Sequence, residues 1–111
     1  MRIACSPTYL PNSSGRTVLG VVAANTPFRG VARLKRSVAL DLGRQAMRAH
    51  PDADTIMFPS PHWPVVDAIE PLEREFGVSV MSALQAIVWQ ALRLTGIDDR
   101  IDRFGRLLRE F

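Results

Sequence analysis

From Ser37 to the C-terminus, short apolar runs alternate with stretches whose apolar residues recur at helical spacing, and this constrains the fold more than any other feature. A run of four or five apolar residues suits a buried strand, whereas apolar positions three and four apart suit one face of a helix. Ser37 is placed to be the N-cap of a helix running to about His50, with Val38, Leu42, Ala46 and Ala49 on one stripe and Pro51 closing it. Asp54 to Phe58 reads as a short buried strand. Val65, Ile69, Leu72 and Phe76 then fall at helical spacing, with Gly77 as the stop. Val78 to Met81 is a further strand. Ser82 and Gln85 have capping-box spacing for a helix expected to bury Leu84, Ile87, Val88, Ala91 and Leu92 and to end at Gly96. Ile101, Phe104, Leu107 and Leu108 mark a last amphipathic stretch, interrupted by Gly105.

The first thirty residues are less regular. Arg2 to Cys5 and Thr17 to Ala24 read as strands, separated by a segment from Ser6 to Gly15 dense in turn residues. The whole order is strand, strand, helix, strand, helix, strand, helix, helix. It predicts an α/β fold built on a mostly parallel sheet with helices on both faces. Residues 1–30 are expected to form an irregular segment with one or two strands, and residues 31–111 the regular α/β unit.

Several function classes lose ground at this level. One cysteine among 111 residues cannot form an internal disulfide, and no Cys/His spacing describes a zinc cage. The apolar run from Val18 to Ala24 is too short to span a bilayer and is not placed like an export signal, so a cytoplasmic protein with no membrane partner is expected. Charge is uneven: residues 1–50 carry eight basic side chains against Asp41 alone, whereas residues 51–111 carry six basic and ten acidic ones. The cluster Arg29, Arg33, Lys35 and Arg36 fits an anion, a solvated face or the acidic half of another subunit. Nucleic acid is disfavoured as a partner, because no aromatic interleaving or binding motif accompanies the charges.

One loop is placed to carry chemistry. Pro59-Ser60-Pro61-His62-Trp63-Pro64 follows a strand, and three prolines in six residues stiffen it. Pro64 suits a first helical position. The amides of Ser60, His62 and Trp63, together with the following helix dipole, are then expected to favour an anion such as a substrate carboxylate or a developing enolate. The bland alternative has Ser60 capping backbone groups, His62 solvated and Trp63 in the core. A Ser60–His62 hydrolase pair is disfavoured, since the two stand across a proline and no G-x-S-x-G elbow is present. His50, at a helix end, is most simply a partner for that helix's dipole. Cys5 is either a nucleophile or simply buried.

A series of segments in the second half also carries a resemblance. These are Asp52 to Phe58, Asp67-Ala68-Ile69-Glu70-Pro71-Leu72-Glu73, Gly77 to Ser82, Gln85 to Arg93 and Phe104 to Glu110. In order and spacing this stretch, from about Pro51 to Phe111, resembles the C-terminal part of the aspartate/glutamate racemase superfamily. The maleate cis-trans isomerase and arylmalonate decarboxylase branch is the nearest in pattern. The resemblance implies one lobe of a two-lobe fold with the active site between lobes. It also implies a small dicarboxylate substrate, no metal or organic cofactor, and isomerase, racemase or decarboxylase chemistry. The family's second-lobe cysteine stands seven residues before the Asp-Ala-Ile run, which here is Ser60. An alcohol is a far weaker acid than a thiol, whose reference pKa is about 8.5. Ser60 is therefore expected to hold a carboxylate, with Ser82 beside it and His62 as the remaining acid–base group. Ser6-Pro7-Thr8-Tyr9 is similar to the family's Thr-Pro-Tyr segment, which makes Tyr9 a carboxylate-binding candidate. A first lobe is missing from this pattern. The implied outcome is an uncovered lobe face, and with it a homodimer or a separate N-terminal lobe as partner. The alternative function is a diverged, non-catalytic lobe that binds carboxylates or pairs with another chain.

Overall fold

The structure, a computed structural model, describes residues 2–5, 15 and 17–111. Four strands form its sheet: β1 (Arg2–Cys5), β2 (Thr17–Val21), β3 (Thr55–Phe58) and β4 (Ser79–Ser82). Their order is β2-β1-β3-β4 and every pairing is parallel. Parallel neighbours need long crossovers, and helices supply them here. The expected α/β fold is therefore what the chain adopts, a parallel sheet flanked by helices.

A 3-10 turn over Phe28–Arg33 leads into α1 (Arg36–Ala49), the helix between β2 and β3. This helix starts before the expected N-cap: Lys35 holds that position without a side-chain bond, and Ser37 lies inside the first turn. The reason is that the preceding turn is already wound, with Leu34 N–H donating to the Val31 carbonyl and Val38 N–H to that of Lys35. Its buried stripe is Ala39, Gly43, Ala46 and Met47, so Ala49 turns outward. Small residues on that stripe let α2 (Val66–Phe76) approach closely. A methyl group added at Gly43 would sit 2.4 Å from a Leu72 methyl. The core between these helices and the sheet centres on Ile56, Val80, Ile69 and Leu72, all under 2% exposed. That the apolar positions Val65, Ile69 and Leu72 share a buried face agrees with their spacing. Gly77, with φ of 68°, ends α2 as expected.

The strand ends differ by a few residues from the apolar runs. β2 stops at Val21, three residues before Ala24, and β4 is displaced by one to end on Ser82. Ser82 serves twice, as the last strand residue and as N-cap of α3 (Ala83–Leu94). The capping box is complete: Gln85 N–H donates to Ser82 Oγ at 3.1 Å, and Ser82 N–H donates to Gln85 Oε1 at 3.2 Å.

The face that α3 buries is not the expected one. Leu84, Ile87 and Val88 are exposed, as is Ala91, and Leu92 is half-buried. The opposite side turns inward, because its polar groups find partners in the C-terminal segment. Gln85 Nε2 donates to the Phe104 carbonyl, Trp89 Nε1 to that of Phe111 at 3.3 Å, and Arg93 to the Ile97 carbonyl at 2.7 Å. The last amphipathic stretch is helical only over α4 (Arg106–Glu110), and Gly105 is its N-cap rather than an interruption. There the Glu73 carboxylate accepts the Arg106 amide at 3.0 Å and the Val80 amide at 3.4 Å, joining α2, β4 and α4.

Candidate functional site

Because all four strands run in one direction, their carboxyl ends lie along one edge. From β1 the chain moves to β2 on one side and then, through α1, to β3 on the other. Such a reversal opens a crevice between the two strands where connections diverge, which is where ligands bind in open parallel sheets. Cys5 pairs with Met57 at this point, so β1 and β3 end within one residue of each other along this edge. Phe58 in turn pairs with Ser82. The register thus puts Ser82 level with the end of β3, from which the loop carrying Ser60 and His62 departs at the same edge. Tyr9, the fourth expected site residue, lies outside the described residues, as does the rest of Ser6–Ser14.

The loop is held by its one large apolar residue. Trp63 is buried and meets Phe58 edge-on, with ring centres 5.4 Å apart and an interplanar angle of 88°. That anchor leaves Ser60 half-buried and His62 exposed at the edge. Two expectations about the backbone need correction. Pro64 is not the first helical residue, since α2 starts at Val66 behind an N-cap at Val65. Burial of Trp63 and Val65 inserts a tight turn first, in which Val65 N–H donates to the Trp63 carbonyl at 2.9 Å. The Trp63 amide is also engaged, donating to the Ser60 carbonyl at 3.5 Å, so it does not join a set of ligand-facing donors. Ser82 is buried and its oxygen already caps α3, although a hydroxyl that accepts one bond still carries a donor hydrogen.

Positive charge borders the same edge. Helix α1 runs from the carboxyl end of β2 back to the amino end of β3, so Arg29, Arg33, Lys35 and Arg36 precede or open it at the carboxyl edge. Arg36 pairs with Asp67 in the first turn of α2, and both side chains are largely exposed. Arg29, Arg33 and Lys35 are exposed too, and none forms an ion pair among the described residues. His50 stands elsewhere: it is the C-cap of α1, and its ring lies against Gly20, whose missing side chain makes room for it. Among the described residues no three His, Cys, Asp or Glu side chains gather as metal ligands would. No helix among them is long and apolar enough to cross a membrane.

An uncovered lobe face was expected from the resemblance, but its location was not anticipated from the sequence. An apolar groove of about 310 Å³ adjoins the loop, lined by Trp63, Pro64, Val66, Leu84, Val88 and Phe104 among others, with Ser82 at its wall. The signal for it was present, since α3 has more apolar residues than one buried face can use.

Comparison with known proteins agrees with this architecture. The family model for arylmalonate decarboxylase matches residues 9–108. The chain is 37% identical over 86 residues to the arylmalonate decarboxylase of Bordetella bronchiseptica, an alignment covering 77% of this chain and 36% of that protein. A crystal structure of arylmalonate decarboxylase superposes with a TM-score of 0.83 at 28% identity, covering 96% of this chain and 52% of the other. A maleate cis-trans isomerase from Nocardia farcinica, bound to Tris, shares the fold, with a TM-score of 0.80 at 23% identity over 98% of this chain and 48% of its own. The chain therefore spans about half the length of these relatives or less. With 100 consecutive residues matched and a parallel sheet that superposes on one lobe, this chain belongs to the arylmalonate decarboxylase family.

Proposed function

We propose that this lobe supplies one side of a cofactor-independent site that acts on a small dicarboxylic acid, such as maleate or an arylmalonate, as an isomerase, racemase or decarboxylase. What supports the reading is that β3 ends just before the Ser60–His62 loop, level with Ser82 at the carboxyl edge, and that Arg29, Arg33 and Lys35 are exposed ahead of α1 with no ion pair among the described residues. Chemistry at a carbon next to a carboxylate leaves negative charge on an enediolate, so the site must hold one carboxylate and move one proton. The hydroxyls of Ser60 and Ser82 hold the carboxylate by donating hydrogen bonds, with Tyr9 as a third donor. The His62 imidazole moves the proton, since it is the acid–base group on the loop. Ser60 stands where the family's thiol is expected, and a hydroxyl there favours binding over proton delivery.

That same substitution supports a second reading, a lobe that binds carboxylates without turning them over. Exchange of the α-proton of a dicarboxylate in heavy water separates the two. Exchange that disappears in His62→Ala is the result expected, and Ser60→Cys is expected to raise the rate by about tenfold or more. No exchange at high protein concentration, with maleate or malonate still raising the melting temperature, would support the non-catalytic lobe instead.

A further inference from the structure

The strongest unassigned feature is the bare side of α3. Leu84, Ile87, Val88, Ala91 and Leu94 recur at helical spacing and form one stripe. Leu84 is 52% exposed, Ile87 57%, Val88 42% and Leu94 77%. The opposite side of the helix, with Gln85, Trp89 and Arg93, is already tied to the C-terminal segment. The cover within the chain thus falls on the polar side of the helix and leaves the apolar stripe bare. Val66 and Phe104 extend the bare stripe across the groove, and they too are exposed.

We infer that this stripe is an interface between two copies of the chain. Area is the first argument. These side chains expose on the order of 500 Å² of apolar surface, near the upper end for a monomer. A homodimer burying about 800 Å² per partner, roughly two-thirds of it apolar, needs about that much. Charge is the second. The stripe holds no ionisable side chain, although charged residues make up 23% of the chain. In a two-fold contact each residue near the axis meets its own copy, so a charge there would face its like. A neutral stripe satisfies that condition. Continuity with the edge is the third argument: Trp63, Pro64 and Ser82 line the groove and also belong to the loop and strand end of the candidate site. A partner seated on α3 therefore brings its surface to the border of that site. The inference does not depend on Ser60 or His62 performing chemistry.

Sedimentation equilibrium of the full chain tests it, with Ile87→Asp and Val88→Asp as interface variants and Gln45→Glu, on the exposed side of α1, as a control. A dimer at about 10 μM, weakened about 100-fold or more by either Asp variant and unchanged in the control, is the expected result. Both replaced side chains are exposed, so circular dichroism of the variants should match the original and show that folding is intact. A chain that stays monomeric at 100 μM or so overturns the inference. So does a dimer that neither Asp variant weakens, which puts the contact elsewhere. A monomer that binds one-to-one only to a separately produced complementary lobe overturns it as well, by naming a different occupant.

Discussion

Glu73 is the clearest case of a single side chain organising its surroundings. It is a buried carboxylate on α2 whose oxygens accept two amides, one from β4 and one from the first residue of α4, with Arg109 3.9 Å away. In effect it caps α4, where the N-cap itself is a glycine with φ of 86° and offers no side chain. Gly105 is needed there, because a methyl group would lie 2.4 Å from Ile69. Glu73→Ala leaves both amides without their acceptor and is expected to cost about 2–3 kcal/mol, read from urea unfolding with an unchanged m-value. Glu110 at the far end of α4 behaves differently. Hydrogen bonds from Arg109 and then Arg106 hold its carboxyl below the usual carboxylate range. Any stabilisation from that depression is present at neutral pH and fades as pH falls through the lowered value. The capping role of Glu73 was not visible in the sequence, since it depends on Arg106, 33 positions away, meeting it in space. The Glu110 contacts are local, with Arg109 adjacent and Arg106 one helical turn back. The placement of Ser60 and His62 on a loop after β3 was legible, because prolines after a strand-like run mark a turn at a strand end. Trp63 sets the height of that loop, and its burial was foreseen only as the bland alternative.

At the scale of elements, strand and helix identities were readable throughout Ser37–Phe111 because period and punctuation agreed. Boundaries moved where a neighbour altered them: the 3-10 turn before α1 displaced Ser37 from the cap, and the turn at Trp63–Val65 displaced Pro64 from the helix. The capping box of α3 was correct to the residue, since it is a local device with both partners within one turn. What covers a helix is not local. Leu84, Ile87, Val88 and Ala91 were therefore identified as an apolar stripe yet expected in the core, where the structure leaves them exposed. The basic 3-10 turn raises a separate expectation. If Arg33 and Lys35 draw a dianion to the carboxyl edge, the double charge reversal Arg33→Glu with Lys35→Glu should weaken maleate binding several-fold at low salt. Calorimetry at rising ionic strength should show that difference shrinking, because exposed charges are screened beyond about 10 Å at 0.1 M salt.

At the scale of the molecule, a radius of gyration of 13.7 Å is about that of a packed domain of this length, so the chain folds onto a core of its own. It does so while exposing a full helical stripe, and its solved relatives have about as much chain again. A lobe with that stripe bare is incomplete as a surface without being incomplete as a core. Its stability and its function are therefore separable, and the dimer contact can be broken without unfolding the sheet. The crevice edge is the part on which the functional account rests. Its most direct test is a maleate titration of the isotopically labelled chain followed by amide resonances. Saturable shifts are expected at Ser60, His62, Trp63 and Ser82, with smaller ones at Arg33 and Lys35. Shifts confined to α4 and the amino edge of the sheet, or none at saturating maleate, would contradict it.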